Sequence, residues 1–224
     1  MVVTGGASGI GRAIADGLRA DGFRLAVFDL DAAGATDAAG PDGVGVVVDV
    51  ADPSSVDAGF ARDMMAHHNQ AVLIAGFVRD HTADPTIRLL AYDIETQQLT
   101  EVGLFKGWLD GWGLLAESDH TPMSWMGTEH LHMQSGNLMP GMATTAELAK
   151  LKSLTGRPLD IYFLQLMIRH HQGGIPMASY AAEHATVPAV RTAAHKMADA
   201  QSLEVINMDR LLRSYGATPL APPN

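Results

Sequence analysis

Two histidine doublets each follow a methionine, in Met64-x-x-His67-His68 and Met167-x-x-His170-His171. On a helix, positions three and four apart share a face, so one turn sets a thioether beside imidazole. The same geometry predicts that His67 and His68 do not both point straight into a core. Further along stand Gln98 with Glu101 and Gln201 with Glu204, each a Gln-x-x-Glu on an otherwise apolar stripe. A polar group on a buried stripe needs a partner, and a carboxylate facing imidazole supplies one. Thioether and imidazole together suit Cu(I) or the chemically similar Ag(I), and imidazole also takes Cu(II) and zinc. The candidate metal ligands are Met64, His67, His68, Glu101, Met167, His170, His171, Met177 and Glu204. The competing interpretation is a structural or interaction bundle whose histidines only hydrogen-bond Gln and Glu across a core.

The segment from Gly113 to Leu159 adds His120, Met123, Met126, His130, His132, Met133, Met139 and Met142. Methionine in a Gly/Ser/Pro-rich loop has no core of its own to fill, which favours ligation over packing. An apolar flap over the bundle is the alternative. A di-iron carboxylate centre asks for inward Glu on several helices and Glu-x-x-His on two. Glu117 with His120 and Glu129 with His132 have that spacing, but both lie in the segment between the repeats and neither is duplicated. His81 and His184 fall at predicted helix ends, where a cation favours the macrodipole.

These residues are arranged by a duplication. Residues 60–113 overlay 163–216 without gaps at an offset of 103, with 14 identities in 54 positions. Phe60, Met64, His67, His68, Ala71, Ala75 and Val78 run at helical steps, and Asp84-Pro85 ends that helix and starts another. The second helix carries Ile87, Leu90, Ile94, Gln98, Glu101, Phe105 and Trp108 and stops at Gly111/Gly113. Two such hairpins predict a four-helix bundle with a pseudo-two-fold axis. Gly173-Gly174-Ile175-Pro176 is expected to interrupt the second copy. Ile74 stands where the second copy has Met177, and Phe105 where it has Met208, so thioethers are richer in the second copy.

Residues 1–58 are different: no His, one Met, nine acids and three Arg. They read β-α-β, with Val2-Val3, a helix from about Gly9 to Gly22, a strand Leu25–Phe28 ending at Asp29, a stretch Ala32–Gly43 in which any second helix is short or poorly packed, and a strand Val44–Val50. Across the whole chain, 15 Lys+Arg against 25 Asp+Glu give a net charge of −10 and argue against nucleic-acid binding. The absence of Cys excludes disulfides and thiolate metal sites. No apolar run approaches the ~18 residues of a membrane span. The opening residues lack the basic and apolar regions of a signal peptide, so the chain as written is expected in the cytoplasm.

The second unit resembles the DUF305 family over roughly 59–215, through Phe60–His68, Met139-Pro-Gly-Met142-Ala-Thr, Phe163–His171, Met177-Ala178 and Gln201-x-x-Glu204-x-x-x-Met208. That resemblance implies a ferritin-like four-helix protein, generally exported, in a family with members linked to copper or silver. The first unit resembles the start of a short-chain dehydrogenase/reductase, through Thr4-Gly5-Gly-Ala-Ser-Gly9-Ile10-Gly11. It implies NAD contacts at Gly5, Gly9, Ile10, Gly11, Asp29, Asp49 and Val50; in such loops glycine lets the backbone approach a pyrophosphate. No Tyr-x-x-x-Lys follows, so hydride transfer lacks its machinery. The expected fold is therefore mainly α: a duplicated ferritin-like four-helix bundle over 59–224, with connector 114–159, after a small N-terminal α/β Rossmann-like fragment, 1–58. The partner expected is a metal ion, copper foremost, with NAD the alternative cofactor and a homo-oligomer compatible with the pattern.

Overall fold

The computed structural model describes residues 1–29, 31–47, 56–117, 121–127 and 138–221. The chain divides into two compact units, Met1–Asp52 and Pro53–Asn224.

In the first unit β1 (Val2–Thr4), α1 (Gly9–Ala20), β2 (Ala26–Asp29), α2 (Ala32–Ala39) and β3 (Val44–Val47) follow one another. The strands form a parallel sheet in the order β1-β2-β3. Its core is small: Val3, Leu25 and Val27 of the sheet region under Ala15, Ala35, Ala38 and Ala39 of the helices. The Ala-rich stretch does form a helix, eight residues long and capped by the Asp31 carboxylate on the Ala33 N–H.

In the second unit α3 (Val56–His81) and α4 (Pro85–Gly111) form one hairpin, and α6 (Gly156–His184) and α7 (Pro188–Ser214) another. The hairpins meet through α3 and α6. Their turns are fixed by carboxylates. Asp84 caps α4 through the Thr86 and Ile87 N–H groups, with Pro85 in the first turn. α7 lacks a capping side chain of its own, and Asp57 of α3 accepts instead from the Thr186 and Val187 N–H groups. Asp160 of α6 in turn accepts from the Thr82 hydroxyl at 2.5 Å.

Two expectations fail here. α6 runs unbroken through Gly173-Gly174 and Pro176. A proline removes one helical hydrogen bond, and packing on all sides holds the remainder. The connector also contains a helix, α5 (Thr145–Ser153), opened by a capping box between Thr144 and Glu147. Thr-x-x-Glu ahead of an apolar run was its signal.

The bundle interior is layered. One end packs Ile74, Val78, Ile87, Ile94, Phe163, Leu166, Met167, Met208 and Leu212. The other packs Phe60, Met64, Phe105, Leu109, Met177, Val190 and Met197. On every long helix, the residues between these clusters are the polar pairs: His67-His68, Gln98 with Glu101, His170-His171, and Gln201 with Glu204. The bundle has a polar waist.

Candidate metal centre

Neighbouring helix positions lie about 100° apart, so two adjacent side chains are both buried only where the helix has neighbours on two sides. α3 has them. His67 and His68 are both fully buried, and so are His170 and His171 of α6. The two members of each doublet point different ways, and both are nevertheless enclosed. The outer member faces its own hairpin partner. His68 Nε2 lies 2.8 Å from Glu101 Oε2, and His171 Nε2 lies 2.7 Å from Glu204 Oε2. The inner members meet at the junction of the hairpins, with the His67 and His170 rings 3.8 Å apart between centroids. His170 Nε2–H donates to the His67 carbonyl at 3.1 Å, whereas His67 Nε2–H donates to the Pro140 carbonyl at 3.0 Å.

Backbone carbonyls only accept, and an ionised carboxylate only accepts, so these bonds place the proton on Nε2 of each ring. The lone pair is then left on Nδ1. Among the described residues, the Nδ1 atoms of His67, His68 and His171 are buried without a hydrogen-bond partner. Burial also disfavours the charged form: His67 is pushed down to about 3, the nearby His68 adding to the effect. His68 is lowered by burial despite Glu101, and His170 lies well below its ordinary value through burial and then His67. His67, His68 and His170 are therefore neutral imidazoles at pH 7.

Gln98 and Gln201 are almost fully buried, and among the described residues their Oε1 atoms have no hydrogen-bond partner. A groove of about 620 Å³ between α4 and α7, walled by Leu104, Trp108, Ala193 and Met197, reaches Glu101. Among the described residues, no three His, Asp or Glu side chains come together as a metal-holding group.

The model of DUF305, a domain of unknown function, matches residues 57–212. A DUF305 protein of Streptomyces coelicolor, presumed secreted, is 44% identical over 75% of this chain and 98% of its own, with a TM-score of 0.70. A DUF305 fragment from Deinococcus radiodurans is 31% identical over 72% of this chain and 97% of its own, with a TM-score of 0.59. The chain belongs to the DUF305 family. CopM in its Cu(II)-bound form shares the fold at 22% identity, covering 72% of this chain and 97% of its own, with a TM-score of 0.55. The short-chain dehydrogenase model matches residues 1–84. No curated protein matches the chain.

In this DUF305 bundle the methionines, more numerous in the second copy, also sort by end. Met177 and Met197 pack in the cluster of Met64, and Met167 in that of Met208. Connector residues enrich the Met64 end. Met123, Met126 and Met139 are buried there and Met142 is half-buried, correcting the view that these side chains lacked a core. His120, His130, His132 and Met133 lie outside the described residues.

Three side chains on one face of α3 hold the connector. Asp63 accepts from the Met123 N–H and the Trp125 indole, at 2.6 and 2.7 Å. The bond supports Met123 in a left-handed conformation, φ 64°, that a non-glycine residue seldom adopts. His67 holds Pro140, and Gln70 pairs with both backbone groups of Ala143. His81 and His184 are the last residues of α3 and α6.

In the first unit Gly5 and Gly9 have φ of 64° and 54°, and a Cβ on Gly11 would lie 2.0 Å from the Gly5 carbonyl oxygen, so the loop needs these glycines. Ile10 is exposed on α1. The Asp29 carboxylate accepts from the Ala7 N–H at 2.8 Å and the Asp31 N–H at 3.1 Å. Asp49 and Val50 lie outside the described residues.

Proposed function

We propose that this DUF305 bundle binds and sequesters a soft metal ion, Cu(I) or Ag(I), with Cu(II) taken by imidazole. The observation that carries the proposal is the set of buried Nδ1 atoms on His67, His68 and His171 that have no partner among the described residues. An unsatisfied buried acceptor costs roughly 1–3 kcal/mol, and an ion bound there offsets that cost. Metal-ligating histidine commonly donates its other ring N–H to a carboxylate, which fixes tautomer and orientation. Glu101 and Glu204 have that relation to His68 and His171, so their role is to orient imidazole.

His67, His68, His170 and His171 supply nitrogen. Met64 and Met177 supply sulfur at the methionine-rich end, and Met167 at the other. CopM, of the same fold, is bound to Cu(II), Cu(I) and Ag in its solved forms, which supports the choice of ion. The Streptomyces coelicolor relative supports an exported setting.

Isothermal titration of metal-free protein with Cu(I) under reducing conditions tests the proposal. Binding that is lost in the His67/His68/His170/His171→Ala variant supports it. Equal affinity of wild type and variant overturns it.

A second proposal concerns the first unit, whose glycine loop at the start of α1 favours NAD binding. Asp29 would have to release the Ala7 or Asp31 N–H to accept ribose hydroxyls. Protection by NAD against thermal unfolding, abolished in Gly9→Asp, is the expected result; no shift in the wild type rejects it.

A further inference from the structure

The inner histidines depart from the symmetry of the bundle. His170 bonds to a carbonyl inside helix α3, whereas His67 bonds to a loop carbonyl, that of Pro140. The difference arises from what stands 103 positions apart. Asp63 and Gln70, which hold the connector, face Leu166 and Gly173 at the corresponding places. At these two pairs of positions α3 has the grips and α6 has the notch.

Met139-Pro140-Gly141-Met142 is a tight turn closed by the Met142 N–H on the Met139 carbonyl. Proline at the second position and glycine with φ 81° at the third make it a type II turn. Its central carbonyl is that of Pro140. Two close approaches seat it: a Cβ on Gly173 would lie 1.9 Å from the Pro140 oxygen, and one on Gly141 would lie 2.5 Å from the Arg169 oxygen. One residue past the turn, Gln70 clasps Ala143, its amide accepting from the N–H at 2.6 Å and donating to the carbonyl at 2.9 Å.

We infer that the Met139–Met142 turn, seated against Gly173 and clasped by Gln70, selects the ring nitrogen that His67 offers to a metal ion. This rests on the metal-binding proposal above and makes Gln70 a positioning residue. With Pro140 in place, Nε2 carries the proton and Nδ1 carries the lone pair. If the turn lifts, the two neutral tautomers of His67 interconvert and the donor is no longer fixed. His170, held by helical backbone, keeps its tautomer whatever the turn does. The turn also brings Met139 into the cluster of Met64 and Met177, so the same clasp places a thioether and orients an imidazole.

The test is nitrogen-15 NMR of the imidazoles in the metal-free full-length protein, alongside Cu(I) titration. In the wild type, His67 and His170 are both expected with the proton on Nε2. In Gln70→Leu, His67 is expected to show a tautomer mixture while His170 is unchanged, and Cu(I) affinity to fall about ten- to hundredfold. Gln70→Glu keeps an acceptor for the Ala143 N–H and is expected to lie between. Should Gln70→Leu fail to fold, Gly173→Ala, which pushes Pro140 away, replaces it. His67 keeping a single Nε2–H tautomer in the folded variants, or showing Nδ1–H in the wild type, overturns the inference. A wild type with the expected tautomers but no Cu(I) binding overturns the metal proposal alone, because the NMR result stands without metal.

Discussion

At the scale of the residue, the waist divides labour within His67, His68 and His171. Nε2 is engaged by a carboxylate or a carbonyl, and Nδ1 is the atom left for chemistry. Glu101→Gln removes the charge that holds the His68 tautomer, and Cu(I) affinity is expected to fall about ten- to hundredfold in a competition titration. Met64→Leu and Met177→Leu separate ligation from packing. Leucine conserves volume in the cluster, so stability is expected to change by less than about 1.5 kcal/mol while Cu(I) affinity drops. Denaturant midpoints and the titration, measured on the same variants, check both halves of that statement. The pairing of Glu101 with a histidine was legible in the sequence, because a lone carboxylate on an apolar stripe must find a partner. The Pro140 bond was not, since it joins residues 73 positions apart through the course of a loop. Nor was the burial of both His67 and His68, which depends on α3 having neighbours on two sides.

At the scale of the element, α5 and the connector are tied to α6 by an ion pair. Arg169 donates through both terminal nitrogens to the Glu147 carboxylate, which also closes the capping box with Thr144. The Arg169 bonds hold Glu147 at about 2, below its ordinary value of 4.5. A depressed folded-state pKa contributes stability that is present above about 4.5 and lost as pH falls toward about 2. The buried histidines act in the same direction at higher pH. His67, His68 and His170 are lowered from 6.5, so protons bind the unfolded chain first, and stability falls as pH drops below that value. Urea midpoints of the metal-free protein are therefore expected to decline from pH 6.5 downward and again below 4.5. Glu147→Gln is expected to cost about 2 kcal/mol at pH 7 and to flatten the lower decline only. A midpoint rising on acidification would contradict both statements. The α3–α4 turn was legible from Asp84-Pro85. α5 carried its signal in Thr144-x-x-Glu147, which a search for histidine and methionine passes over. The Gly173-Gly174-Ile175-Pro176 run misled because its glycines serve close contacts rather than a break.

At the scale of the whole molecule, a polar waist lies between two apolar ends, and the ends differ in kind. One is aliphatic and aromatic with Met167 and Met208; the other gathers six buried methionines, three of them from the connector. Each end stabilises the bundle by burial, as a fully enclosed Phe163 illustrates, and Phe163→Ala is expected to cost roughly 3–5 kcal/mol by thermal denaturation. The bundle was legible from helical spacing and the 103-residue offset. The sorting of methionines by end was not, because Met64 and Met177 come together only when the two hairpins cross. The first unit stands apart in composition and fold, with its own small sheet and glycine loop. The central claim is that imidazole and thioether together hold Cu(I) at the methionine-rich side of the waist. X-ray absorption at the copper edge of the Cu(I)-loaded protein tests this most directly. Nitrogen and sulfur neighbours in one shell, the sulfur lost in the Met64→Leu/Met177→Leu variant, are the expected result. A shell of nitrogen and oxygen alone, unchanged in that variant, would contradict it.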